Sequence, residues 1–575
     1  MSAINEVDDQ NLIEDNERKE GNEGKEEMSS NKIKIFYIIT VGLILLIVAL
    51  VAVIVIVMGG DNNGTDNENN PDDLIDPNMN ENFTAIYETT QEGQEVKLFD
   101  KNLIENIQLM SVDNETIEIT NKYKFNQTGE HIVKIQLKKE LESTNEMFKD
   151  CINLVQIIFK NFKTQNIQNM GGMFQGCSSL KELNLNSFNT KKVTNMSYLF
   201  YDCSTISKIT LDNFDTSNVI DMKYMFSGCS VITSLDLKNF NTKNVKEIKY
   251  MFNRCQELIN IENGNNFVIS GIKDLSGLFS DCFKLPKINI NFVDTSHTTN
   301  MSKMFRSCAK LTSIDLSKFN TSNVVDISSM FANCFVLTSI DLTNFDTSNV
   351  EDMHELFDTC STLKELNLKN FKTSKVKNMD KMFVRTYLES LDLSSFDTSQ
   401  VTTMNYMFDF SYSLKELDLS SFDTSKVTDM SFMFAACPYL TSINLSSFNT
   451  KNVRTFKNMF YGDISLSTVD FSSFETPNLV DVSQMFQRCS SLVSLNLSSF
   501  DTSKVTSFIG MFAYCENLIY VDISSFSSQS LNDDSIFIFP GRSENGTVYY
   551  NSKLFDQELI NTIFGDWEKK RVDLN

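Results

Sequence analysis

The sequence predicts an α/β solenoid, with a parallel sheet along one face and short helical turns along the other. A small β-module and a single transmembrane helix are expected in front of it. Three observations carry this prediction. A Met-Phe or Leu-Phe pair recurs at Phe148, Phe174, Phe200, Phe226, Phe252, Phe279, Phe305, Phe331, Phe357, Phe383, Phe408, Phe434, Phe460, Phe486 and Phe512. The spacing is 26 residues, with one extra residue before Phe279 and one fewer before Phe408. A fixed period of roughly 20–50 residues marks a stacked repeat. Within each unit, alternating apolar residues are followed by apolar residues spaced by three or four, the periods of a strand and of a helical turn. Ahead of the repeats, residues 35–58 form an uncharged apolar run.

Composition narrows the function classes. The net charge is -24 over 575 residues. Nucleic-acid phosphates require a basic surface, so a nucleic-acid partner is excluded. With 3 His in the whole chain, a histidine-based catalytic or metal cluster is hard to assemble. No Ser/His/Asp set, glycine-rich phosphate loop or metal-ligand spacing is present, so no enzyme, metal or cofactor is expected.

The elements follow in order. Residues 1–34 read as a disordered acidic tail in the cytosol. Residues 35–58 are long enough to cross a bilayer as a helix. Lys32 and Lys34 flank one end and Asp61, Asp66 and Glu68 the other. This bias predicts a single-pass type II plasma-membrane protein with its repeats outside the cell. Residues 59–82 are a polar spacer. In 83–146, short alternating runs such as EVKLF, ETIEIT and HIVKIQL predict strands joined by hairpins. This module would cap the solenoid of 147–526, and 527–575 would close its other end.

One regular unit is MFAACPYLTSINLSSFNTKNVRTFKN, from Met433. In its Leu-x-x-Leu-x-Leu frame, Ile443 and Leu445 face inward, while Ser442, Asn444 and Ser446 face outward. The recurring Asx-Thr pair, as in Asp346–Thr347 and Asp501–Thr502, reads as a corner, because short polar side chains bond nearby amides. The Val, Phe, Met and Phe of 453–460 have the spacing of a short helix or 3₁₀ turn.

All 12 cysteines occupy one repeat position, three after the phenylalanine. Cys151, Cys177, Cys203, Cys229, Cys255, Cys282, Cys308, Cys334 and Cys360 form an unbroken run, followed by Cys437, Cys489 and Cys515. Thr386, Ser411 and Asp463 replace the thiol elsewhere. Equivalent side chains in stacked turns point in parallel, whereas a disulfide needs Cβ atoms directed at each other. A structural ladder of buried free thiols is expected.

The frame Leu-x-x-Leu-x-Leu with Phe-Asp/Asn-Thr-Ser-x-Val-x-x-Met-x-x-Met-Phe-x-x-Cys resembles the BspA-type leucine-rich repeat. Residues 417–437 (LDLSSFDTSKVTDMSFMFAAC) carry it at nearly every position, and the resemblance covers about 147–526. It implies a leucine-rich-repeat-like solenoid and a cell-surface protein, adhesive or receptor-like, that binds a protein or glycan ligand on another cell or matrix. The alternative reading is a structural coat or scaffold without catalytic activity. Ligand binding is expected on the outward strand face at Asp315, Asp341, Asn367, Asp392, Asp418, Asn444 and Asp470. The rival reading is a solvated face that keeps the sheet from aggregating. Sequons at Asn63, Asn82, Asn114 and Asn126 are the glycosylation candidates.

Overall fold

The computed structural model describes residues 82–288, 290–531 and 543–572. It begins with an antiparallel module. β1 (Phe83–Thr89) pairs on one side with β6 (Gly129–Leu137) and on the other with β7 (Leu154–Phe159), which belongs to the first repeat. β3 (Ile107–Val112) and β4 (Glu115–Thr116) extend this sheet, giving the order β4-β3-β6-β1-β7. β2 (Gln94–Lys97) and β5 (Lys122–Phe125) form a separate ribbon. Alternation decides the faces: Phe83, Ala85 and Tyr87 of β1 are buried. Phe83 meets the Phe148 ring edge-on at 5.4 Å, so the module seals the first turn of the repeats.

From there the chain makes about 14 solenoid turns. The strand segments β8 (Glu182–Asn184), β9 (Lys208–Thr210), β10 (Ser234–Leu237) and β11 (Asn260–Asn263) come first. After an interval without named strands follow β12 (Ser390–Leu391), β13 (Glu416–Leu417), β14 (Ser442–Ile443), β15 (Thr468–Val469), β16 (Ser494–Asn496) and β17 (Tyr520–Ile523). All pairings among them are parallel and in register one repeat apart, such as Leu183 with Ile209 and Leu495 with Val521. β18 (Thr547–Tyr550) and β19 (Glu568–Arg571), separated by helix α1 (Gln557–Phe564), continue the sheet past the last repeat. A second parallel ladder of single bridges joins Asn169, Asn195, Asp221 and Glu247, then runs from Asp274 to Ser507.

The face opposite the sheet corrects the expected α/β class. Among the described residues it has no helices; the protein is a β-solenoid. In the unit around Phe200, the amides of Tyr198, Phe200 and Asp202 donate to Lys223 O, Met225 O and Ser227 O of the next turn at 2.8–2.9 Å. Within the turn, Tyr201 N and Cys203 N bond back by three residues, to Tyr198 O and Phe200 O. Tyr198 and Asp202 sit at φ 57 and 54, a left-handed conformation that no right-handed helix can contain. The three-residue spacing of Val, Met and Met-Phe therefore reports successive β-turns. A helix closes its amides within itself; here alternate amides of this segment are given to the neighbouring turn.

The core runs the length of the stack. The fifteen phenylalanines form one continuous column in which each ring meets the next at 5.5–6.2 Å and 1–22°. These separations exceed the roughly 4.8 Å between stacked strands, so the rings are offset, the arrangement that aromatic quadrupoles favour. The extra residue before Phe279 is absorbed in an irregular loop. There Gly264 is required, because a Cβ would stand 2.1 Å from Lys238 O.

The membrane placement is corrected as well. Among the described residues no helix is long and apolar enough to cross a membrane. The expected transmembrane helix, 35–58, lies outside the described residues. The structure therefore gives no support to a single-pass type II plasma-membrane protein.

Candidate binding surface

Three corners per turn are built the same way. In one unit, Asp315 Oδ1 accepts from Ser317 N at 3.0 Å, Asn320 Oδ1 from Ser322 N at 3.1 Å, and Asp326 Oδ1 from Ser328 N at 2.9 Å. Each is an Asx turn, in which the side chain stands in for a backbone carbonyl. The threonine after the middle Asx links the stack. Thr321 Oγ1 donates to Asp346 O at 3.0 Å and accepts from Asp346 N at 2.7 Å. It is 1% exposed, so its hydroxyl satisfies two backbone groups that lie away from water.

This geometry bears on the residues expected to hold a ligand. Asp315, Asp341, Asn367, Asp392, Asp418, Asn444 and Asp470 all lie exposed on the strand face. Each accepts the backbone N–H two residues on, at 2.9–3.2 Å. Hydrogen bonds favour the ionised form: the Ser317 and Ser394 hydroxyls first, then the backbone N–H, hold the carboxyls of Asp315 and Asp392 below the usual range, and the backbone N–H first, then the hydroxyl, does so for Asp341, Asp418 and Asp470. One oxygen of every side chain is thus engaged in shaping its own turn, which accounts for its recurrence without a ligand.

Of the sequons, Asn63 lies outside the described residues. Asn82 is tied at both ends, Nδ2 donating to Asn161 O at 3.0 Å and Oδ1 accepting from Leu137 N at 2.7 Å. Asn114 and Asn126 are exposed, and Asn114 Oδ1 accepts from Lys134 Nζ at 2.8 Å. Among the described residues no His, Cys, Asp and Glu side chains gather as a metal site.

The thiols are all buried and free. From Cys177 onward each Sγ donates to the phenylalanine carbonyl of the preceding turn. Cys177 reaches Phe148 O at 3.1 Å, Cys334 reaches Phe305 O at 3.3 Å and Cys515 reaches Phe486 O at 3.0 Å. Burial pushes Cys255, Cys334 and Cys515 up to about 12. Thiolates, the reactive form, are thereby suppressed.

The thiol column is interrupted between Phe383 and Ile464. The interval before Phe408 is short, and Thr386, Ser411 and Asp463 interrupt the thiol column. The surface just outside them changes too. On this corner some turns carry a serine that bonds across the stack: Ser230 Oγ donates to Ser204 O at 2.9 Å and Ser361 Oγ to Phe335 O at 3.2 Å. Here that position holds Tyr387, Tyr412, Pro438 and Ile464, with Tyr439 next to Pro438. Tyr387 is 42%, Tyr439 60% and Ile464 49% exposed. Tyr412 lies 5.4 Å from Tyr387 and 5.7 Å from Phe410, ring to ring. Arg385 sits over Phe410 at 5.2 Å, and Arg488 over Tyr514 at 5.7 Å. Between the two arginines, residues 410–413, 435–439 and 461–465 of this corner expose no charge. Sequence reasoning missed this patch. Part of its signal was present, since Tyr387, Tyr412 and Ile464 directly follow Thr386, Ser411 and Asp463, the three positions where the thiol column lapses.

A model of the family described as "Mycoplasma protein of unknown function, DUF285" matches residues 118–210, 184–286, 256–365, 335–443, 357–467 and 438–545, together well over half of the chain. The chain belongs to the DUF285 family. No curated protein matches this DUF285 chain. Among solved structures, it is similar to the functional domain of InlJ from Listeria monocytogenes, which includes a cysteine ladder. The two share 13% identity over 80% of this chain and 83% of that one, with a TM-score of 0.22. It is also similar to TLR13 in its complex with ssRNA13, at 13% identity over 71% and 80%, with a TM-score of 0.16. At these TM-scores nothing about function follows from either likeness.

Proposed function

We propose that this protein is a non-catalytic binding protein that takes hold of a protein ligand on the corner between Arg385 and Arg488. The observation that carries this is the row Tyr387, Tyr412 and Ile464, standing where Ser230 and Ser361 bond across the stack in their turns, with Tyr439 one residue past that position. Exchanging an internal bond for exposed apolar area does nothing for the fold, and contiguous apolar surface rimmed by polar groups marks interaction sites. Tyrosine and arginine are also the side chains that dominate protein–protein binding energy. An adhesive or receptor-like role, as the resemblance to the BspA-type repeat implies, is the finer form of this reading.

The test compares ligand retention by the immobilised full chain with that by two variants. Tyr387→Ser/Tyr439→Ser/Ile464→Ser should lose the ligand while its stability stays within about 0.5 kcal/mol per substitution, as for exposed positions. Asp392→Asn/Asp418→Asn should keep it. The opposite pattern would move the site to the strand face and end this proposal. Loss of binding after enzymatic removal of the ligand's glycans would reassign the ligand from protein to carbohydrate.

A further inference from the structure

One buried group is not explained by packing. Asp463 takes the place of a thiol in the ladder and is 0% exposed. Its Oδ1 accepts from Cys437 N at 2.7 Å. In other turns that amide bonds the phenylalanine carbonyl of its own turn, as Cys334 N does to Phe331 O at 3.2 Å and Cys489 N to Phe486 O at 3.1 Å. Asp463 Oδ2 has no hydrogen-bond partner. By the register of the ladder, in which Cys437 Sγ donates to Phe408 O and Cys489 Sγ to Phe460 O, the carbonyl opposite residue 463 is that of Phe434. Only a protonated carboxyl can donate to a carbonyl; a carboxylate turns a lone pair towards it.

Apart from the Cys437 amide, which partly favours the ionised form, the groups facing Asp463 offer no compensation. They are Asp409, two turns before it, Cys437 in the preceding turn and Cys489 in the following one. None is a cation. A buried carboxylate without a counter-charge is strongly disfavoured. Burial, with Asp409 adding to it, accordingly holds the Asp463 carboxyl well above the usual carboxylate range.

We propose that Asp463 is a built-in pH-sensitive weak point of the solenoid: the turns around it stay packed while the carboxyl is neutral and separate locally when it ionises. The sign follows from linkage. The closed stack binds the proton more tightly than the opened one, so closure is most favourable in acid. It weakens as pH rises from the opened-state pKa towards the closed-state one. Over that interval the opening equilibrium increases about tenfold per pH unit.

Hydrogen–deuterium exchange of the full chain tests this, read on peptides covering 434–466 and corrected for the intrinsic pH dependence of exchange. Peptides covering 305–334, where the thiol ladder is intact, serve as the internal reference. Opening of 434–466 should climb with pH relative to the reference. Asp463→Asn, which cannot ionise, should flatten the climb. Asp463→Cys, which restores the ladder, should flatten it and also slow exchange. A wild-type profile that tracks the reference throughout would overturn the proposal. So would a climb that persists in Asp463→Cys, because another group would then carry it.

Discussion

Small side chains in this protein act through one or two hydrogen bonds each, and their effects are correspondingly small and separable. Cys334 is both a core residue and a donor, its Sγ reaching Phe305 O at 3.3 Å. Cys334→Ala should shift the urea midpoint by an amount corresponding to about 1 kcal/mol without changing the slope. Cys334→Ser should lose less, since Ser411 already serves at this position with Oγ 3.4 Å from Phe383 O. Thr321 does more. Thr321→Val removes a donor and an acceptor at once and leaves Asp346 N and O without their partner, so about 1–3 kcal/mol should be lost in the same assay. His354 gives a pH signature. Its Nδ1 lies 2.7 Å from Asp352 Oδ1, and this hydrogen bond raises its pKa. The resulting stability is full below the unfolded-state value of about 6.5 and is lost as pH rises through the higher folded value. With the side chain 32% exposed, it should amount to less than about 1 kcal/mol, read as the difference between wild type and His354→Gln at acid and alkaline pH.

At the scale of the repeat, the aromatic column matters more than any single hydrogen bond. Phe331 stacks on Phe305 at 5.8 Å and on Phe357 at 6.0 Å. Phe331→Ala should therefore cost about 3–5 kcal/mol. Because a solenoid is stabilised by interfaces between neighbouring turns, the loss should appear as faster amide exchange in the two adjoining units. Uniform destabilisation along the whole array would contradict that picture. This scale is also where the sequence was ambiguous. Val453, Phe456 and Phe460 have the spacing of a helix, but Asn458 between them has φ 56, and the amides of Phe456, Asn458 and Phe460 bond the next turn. Apolar spacing reports which side chains face inward. It does not report where the amides point, and only the latter separates a helix from a run of β-turns.

At the scale of the molecule, both ends of the stack must be protected, because an exposed strand edge recruits other chains. β1 covers the first turn through β7. At the other end the outermost of the described strands is β19, Glu568–Arg571, whose sequence EKKR places charge along the edge. Deleting 527–575 should uncover β17 and increase self-association, read as earlier elution than the full chain on size-exclusion chromatography. Unchanged elution would show that the last repeat needs no cover.

The sequence by itself determined the period, the parallel sheet and the apolar and thiol columns that face inward. These follow from one-dimensional recurrence, which stacking converts directly into neighbourhood. Only the tertiary structure decided three further matters. It placed β-turns instead of helices opposite the sheet, because backbone hydrogen-bond partners leave no trace in side-chain spacing. It showed that the recurrent Asp and Asn residues of the strand face shape their own turns; an Asx side chain reads the same in sequence whether it caps an amide or stands free. And it brought Arg385, Tyr387, Tyr412, Tyr439 and Ile464 onto one corner above the interrupted thiol column, because residues a repeat apart in the chain become neighbours only once the turns are stacked.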